Sequence, residues 1–169
     1  MLEINEKQLK LCYNNSLLGD NMKIGKIIEN EQKMINLGKI IGELALPNMV
    51  IALNGDLGAG KTTLTKGIGL GLGIKKTINS PTFTIMKIYQ GRLTLFHLDV
   101  YRINEASKDD DLEEFFEKDG LCVVEWAENI AYLLPKNLLK IDIEILNDGT
   151  RKITIDSQNP EYYPMMEVL

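Results

Sequence analysis

A three-layer α/β domain, with helices on both faces of a central mixed β-sheet, is predicted by three features of this 169-residue chain. Short apolar runs such as Met49-Val50-Ile51-Ala52-Leu53 and Leu121-Cys122-Val123-Val124 have the length and β-branched content of buried strands. Segments with helical spacing fall between such runs, which is the alternation of parallel α/β units. Hairpin signals at Gln90-Gly91-Arg92 and Asn147-Asp148-Gly149-Thr150 add antiparallel pairs and make the sheet mixed.

The elements follow in order. Residues 1–22 are polar and aperiodic up to the second methionine, Met22, and are expected to form a mobile N-terminal extension or a stretch upstream of the true start. Residues 23–156 form one domain, opening with a short edge strand at 23–28. Asn30 is the expected N-cap of a helix whose apolar face is Met34, Leu37, Ile41 and Leu44, ended by Pro47. After the strand at 49–53 a second helix opens at Thr62 and is expected to fade at Gly69, Gly71 and Gly73. Runs 83–89 and 93–98 read as a hairpin, and the acidic stretch 105–119 as a helix with Leu112, Phe115 and Phe116 inward and its charges solvated. The strand at 121–124 leads to Glu125-Trp126, then to a helix at 128–134 stopped by Pro135. Runs 138–146 and 151–155 form the last hairpin, and the C-terminal tail, 157–169, is expected to be unstructured despite its aromatics.

Composition narrows the chemistry. A hydrophobic content of 44% and a charged content of 25% are those of a soluble globular domain. No apolar run approaches membrane-spanning length and no signal-peptide pattern appears, so a cytoplasmic location is expected. The net charge of -5 argues against strong direct nucleic-acid binding, and Lys75-Lys76 is the one basic pair near the Gly-rich loop. Any RNA substrate would need a partner protein to supply most phosphate contacts. Cys12 and Cys122 are isolated, which fits reduced thiols. One histidine, His97, excludes a His-rich zinc site, and three arginines, Arg92, Arg102 and Arg151, weaken a nucleotide-kinase reading.

The richest stretch is Gly55-Asp56-Leu57-Gly58-Ala59-Gly60-Lys61-Thr62-Thr63, which fits G-x-x-x-x-G-K-[ST] without a mismatch between a strand and a helix. Glycines let successive backbone N–H groups converge on phosphate oxygens at the positive end of the helix dipole. Lys61 is expected to reach the β- and γ-phosphates and Thr62 to ligate Mg²⁺. The domain is therefore expected to be a P-loop NTPase. No N-K-x-D guanine signature occurs, which favours ATP.

Hydrolysis needs more than a phosphate cradle. Asp99 and Glu125 each follow a strand, where α/β carboxyl ends face the ligand crevice, and are the candidate catalytic carboxylates. Ser80-Pro81-Thr82-Phe83 supplies two hydroxyls on a loop that could close over the γ-phosphate. His97, Tyr101 and Arg102 surround Asp99 in sequence; Arg102 is open to offsetting phosphate charge or to a surface ion pair. Trp126 is left between stacking on adenine and filling the core.

Together the P-loop residues, Ser80 to Phe83, His97-Leu98-Asp99-Val100-Tyr101-Arg102 and Glu125-Trp126 resemble the TsaE (YjeE) family over about residues 23 to 156. That family is the ATPase component of bacterial tRNA threonylcarbamoyladenosine synthesis. The resemblance implies that Lys61 and Thr62 bind phosphates and Mg²⁺, that Glu125 completes the metal site, that Asp99 serves hydrolysis, and that residues 80–83 form a nucleotide-responsive switch. It also implies partners similar to TsaD and TsaB, with tRNA reached only through the complex and ATP hydrolysis resetting the transfer machinery. Two features depart from the family's pattern: Ala127 stands where proline often follows Glu-Trp, and the stretch before Met22 is longer than usual. A small-molecule kinase and an ATP-sensing module without turnover are the alternative readings.

Overall fold

A computed structural model of the chain describes residues 21–81, 84–103 and 110–169. The described residues contain β1 (Met22–Ile28), α1 (Glu31–Leu44), β2 (Met49–Gly55), α2 (Lys61–Gly71), β3 (Met86–Tyr89), β4 (Leu95–Asp99), β5 (Leu121–Glu125), β6 (Leu139–Ile145), β7 (Arg151–Ser157) and α3 (Tyr163–Val168). The strands join in one sheet of order β1-β7-β6-β2-β5-β4-β3. Strands β6, β2, β5 and β4 run parallel, while β1, β7 and β3 add antiparallel pairs at the two sides. The sheet is mixed for the expected reason: both hairpins form, β3 with β4 and β6 with β7.

Central strand β2 is apolar because both of its faces are covered. Ile51 and Leu53 join the core under α1 and α2, while Val50 and Ala52 join a second core built with Phe96, Leu98, Leu112, Phe116 and Ile130. This period-two division is what a strand between two layers requires. The first layer is α-helical. The second is built largely from 3₁₀ segments, Asp110–Phe115 and Ala127–Ile130.

Asn30 caps α1 as expected, its side chain accepting from Lys33 N at 3.0 Å. Helix α2 corrects the sequence reading, because Gly69 and Gly71 lie within it and only Gly73, at φ 72°, turns the chain away. The glycines serve close packing. A Cβ on Gly38 would lie 2.3 Å from the Leu64 carbonyl oxygen, one on Gly67 2.3 Å from that of Ile35, and one on Gly71 2.1 Å from that of Lys39. Helices α1 and α2 therefore touch backbone to backbone, and this fixes α2, the helix that follows the P-loop.

Three further expectations are corrected. Residues 128–134 do not form a full helix: one 3₁₀ turn, Ala127–Ile130, is all that fits between the left-handed Trp126, φ 63°, and Pro135. Strand β3 starts at Met86, because Ile85, at φ 61°, leaves the extended conformation even though its carbonyl still accepts from Asp99 N at 2.8 Å. Of the helix expected at 105–119, Asp110–Phe115 is 3₁₀ and residues 105–109 lie outside the described residues, as do the N-terminal stretch 1–20, Thr82 and Phe83.

The C-terminal tail is folded. Pro160–Tyr162 forms a 3₁₀ turn capped by Asn159, α3 follows, and Tyr162, Met165 and Met166 are buried in the core under α1 and α2. The Tyr162 hydroxyl accepts from Val50 N at 2.9 Å and donates to Val50 O at 3.2 Å. Strand β6 begins opposite Ile51, so Val50 lies one residue before that ladder starts, and the phenol partners it there. That satisfied backbone is why Tyr162 is a core residue, with Tyr163 half-buried against the same core.

Candidate active site

Three parallel strands end side by side. Leu53 near the end of β2 pairs with Glu125 at the end of β5, and Glu125 pairs with Asp99 at the end of β4. The register thus brings the P-loop and both candidate carboxylates to one edge of the sheet, where crevices of α/β folds form.

The loop's shape depends on glycine at two positions. Gly55 has φ 138°, and a Cβ there would lie 2.4 Å from the Ile143 carbonyl oxygen. Gly60 has φ 113° and sits at the N-cap of α2, freeing the helix's first N–H groups to point into the loop. Lys61 is the first helical residue and is buried. Its ammonium donates to the carbonyls of Gly55 and, at 2.9 Å, of Asp56, and stands 3.5 Å from the Trp126 ring centroid. Burial holds Lys61 below the usual lysine range, and the negative charges of Glu125, Glu128, Asp99 and Asp56 pull the other way.

Glu125 is the hub. Its Oε2 accepts from the Thr62 hydroxyl at 2.8 Å; its Oε1 lies 2.7 Å from His97 Nε2 and 3.4 Å from Thr65 Oγ1, which donates to Lys61 O at 3.0 Å. Asp99 is also buried, and its Oδ2 accepts from Ser80 Oγ at 2.5 Å while Oδ1 accepts from Tyr101 N at 3.1 Å. The start of the 80–83 loop is thereby joined to β4, and Lys87 adds a bond to Ser80 O at 3.2 Å.

A cleft of about 370 Å³ opens over this group, lined by Leu57, Gly58 and Gly60 to Thr63 on one side and by Ser80, Asp99, Tyr101, Glu125 and Trp126 on the other. A second cavity of about 190 Å³ lies across the loop, between Gly58 to Gly60, Thr63, the start of α1 and Arg151. Asp56 and Leu57 are exposed at the loop tip and Ala59 is buried beneath it. The oxygen-bearing side chains lining the first cleft, the hydroxyls of Thr62, Thr63, Ser80 and Tyr101 and the carboxylates of Asp99 and Glu125, are hard donors that suit Mg²⁺.

His97, a neighbour of Asp99 in sequence, meets Glu125 on the adjacent strand: it pairs with Val123 in the β4–β5 register, and Glu125 lies two residues further along β5 on the same face. Trp126 is half-buried: it packs against the second core, lines the cleft, and sets its ring against the Lys61 ammonium and the Tyr101 ring, the two ring centroids 4.7 Å apart. Arg102 is exposed on the turn after β4. Thr65 and Asn54 were missed. Thr65 lies one helical turn from Lys61, a spacing that could have revealed it. Asn54 donates to Asp142 at 2.9 Å and accepts from Glu128 N at 3.2 Å, bracing the turn that carries Trp126; a lone amide ending an apolar strand was its only signal.

Residues 28–153 match the family model described as threonylcarbamoyl adenosine biosynthesis protein TsaE. A Bacillus subtilis relative named tRNA threonylcarbamoyladenosine biosynthesis protein TsaE is 45% identical over 141 residues, covering 83% of this chain and 89% of its own. A Treponema pallidum protein of the same name is 42% identical, covering 76% and 97%. The crystal structure of Bacillus subtilis YdiB superposes with a TM-score of 0.78 at 37% identity, over 88% of this chain and 95% of that one.

Proposed function

The chain belongs to the TsaE family, and from that premise we propose that it is a Mg²⁺-dependent ATPase acting in tRNA threonylcarbamoyladenosine biosynthesis. The observation that carries this reading is the meeting of Lys61, Thr62 and Glu125 at the N-terminus of α2, with Asp99 one strand away. Family membership supports the pathway; the site geometry supports the chemistry.

Backbone N–H groups from Gly58 to Thr63 would receive the phosphates, and Lys61 would exchange its bonds to the loop carbonyls for phosphate oxygens. Thr62 and Glu125 would hold the metal, which when bound neutralises charge on the phosphates. Asp99 is the carboxylate best placed to orient the attacking water, and its bond to Ser80 would couple that role to the 80–83 loop. The nucleoside would extend past Thr63 toward the second cavity.

Partners similar to TsaD and TsaB complete the reading. Arg92 is engaged with the carbonyls of Gly42, Glu43 and Ala45 at the end of α1, so this arginine is held away from the phosphates. A cation supplied in trans can contribute roughly 10³–10⁵ in rate. Hydrolysis by the isolated chain is therefore expected to be slow and to accelerate when both partners are present, resetting the assembly between transfers. Steady-state phosphate release, measured alone, with each partner and with both, tests this; a brisk rate that partners leave unchanged would refute the dependence.

A further inference from the structure

His97 is fully buried, and its Nε2 lies 2.7 Å from Glu125 Oε1. Among the described residues, its Nδ1 is the buried side-chain nitrogen or oxygen with no hydrogen-bond partner. These two facts select a tautomer. A proton on Nδ1 would be a buried N–H with nothing to accept it, and would leave Nε2 as a lone pair facing a carboxylate oxygen at contact distance. A proton on Nε2 donates to Oε1 and leaves only a bare lone pair unpartnered.

We propose that His97, as the Nε2–H tautomer, is a positioning residue that clamps Oε1 of Glu125 and turns Oε2 toward Thr62 and the cleft. The geometry divides the carboxylate's work. Oε1 is taken up from behind by the fully buried His97, with Thr65 Oγ1, which donates to Lys61 O at 3.0 Å, standing 3.4 Å away, and among the described residues Oε2 accepts from Thr62, which lines the cleft. A glutamate left to itself would have three rotatable side-chain bonds setting its carboxylate and would reach the cleft in several orientations. Held from behind, it presents one oxygen beside the Thr62 hydroxyl before any nucleotide arrives. Groups that orient a ligating carboxylate change metal affinity when removed, typically by 10–100-fold. The inference rests on the proposed Mg²⁺ site and specifies what sets it up.

The decisive variants are His97→Leu, which removes the donor, and His97→Gln, whose amide nitrogen can replace Nε2. The readout is the Mg²⁺ concentration for half-maximal binding of a fluorescent ATP analogue, with the unfolding temperature of the nucleotide-free protein measured beside it. His97→Leu should raise that concentration about 10-fold or more, and His97→Gln should restore it to within about threefold of the native chain. A purely structural histidine would lower the unfolding temperature in both variants and leave the Mg²⁺ requirement unchanged, which would overturn the proposal. If His97→Leu does not fold, His97→Gln and the spectrum of the native protein decide. Because the chain has one histidine, ¹⁵N spectra of its ring contain a single residue's signals. One protonated nitrogen at ε2 and one bare nitrogen at δ1 support the clamp, and the reverse tautomer refutes it. A native chain that binds the analogue without regard to Mg²⁺ would instead overturn the metal site itself, a different failure from an unchanged His97→Leu.

Discussion

Replacing Gly38 by alanine sets two effects of opposite sign against each other. Gly38 lies inside α1, where helix propensity alone would make alanine more stable by about 1 kcal/mol. Against this, the new Cβ would lie 2.3 Å from Leu64 O, 2.9 Å from Gly67 Cα and 2.9 Å from Ile68 N, all backbone atoms of α2. Ordinary contact begins near 3.4 Å, so the helices must part by about an ångström, since no flexible side chain stands there to yield. Overpacking of this kind costs roughly 1–3 kcal/mol. The net expectation is a loss of up to about 2 kcal/mol. Urea unfolding should show it as a lower midpoint at unchanged slope. Because α2 carries Lys61 and Thr62, the same shift should also weaken Mg-ATP binding, and an ångström of misplacement can cost up to about 10²-fold in function. A Gly38→Ala protein as stable as the native chain or more so would mean that propensity wins and that the backbone contact does not position the P-loop.

Three other outcomes follow from the site. Glu125→Gln should demand more Mg²⁺ for ATP binding, whereas Asp99→Asn should retain ATP and hydrolyse it slowly; Mg²⁺ titrations of both variants separate the roles, and equal loss of metal affinity would contradict the division. Trp126 fluorescence should shift when Mg-ATP draws the Lys61 ammonium from the indole face, and a spectrum unmoved at saturation would contradict that exchange. Lys61 gives a pH signature: its folded-state pKa lies below 10.5, so the unfolded chain keeps the proton to higher pH. Stability relative to Lys61→Met should therefore rise as pH climbs from the depressed value toward 10.5, as read by urea unfolding at about pH 8 and about pH 10.

Much of this molecule is legible in its sequence because the relevant rules are local. The P-loop spelling, the Asn30 cap, the apolar run of β2 and the Asp-Gly hairpin each state their structure within ten residues. What escaped depends on partners distant in sequence. Gly71 reads as a helix-ending residue until α1 is seen to press on α2, and Gly69 until the Ile78 side chain is seen packed against it. The tail beyond Ser157 is ordered by a phenol reaching Val50, 112 residues away. His97 belongs with Glu125 only because β4 and β5 are parallel neighbours, a pairing that no spacing in the chain announces.

The central claim is that this site splits ATP, and product identity tests it most directly. With TsaD- and TsaB-like partners present, the native chain should release about one inorganic phosphate for each ADP formed, and Lys61→Ala should release neither while keeping its fold. ADP formed without free phosphate, its phosphoryl group carried instead on an acceptor, would contradict hydrolysis and make this protein a kinase. Undiminished release by Lys61→Ala would contradict the site.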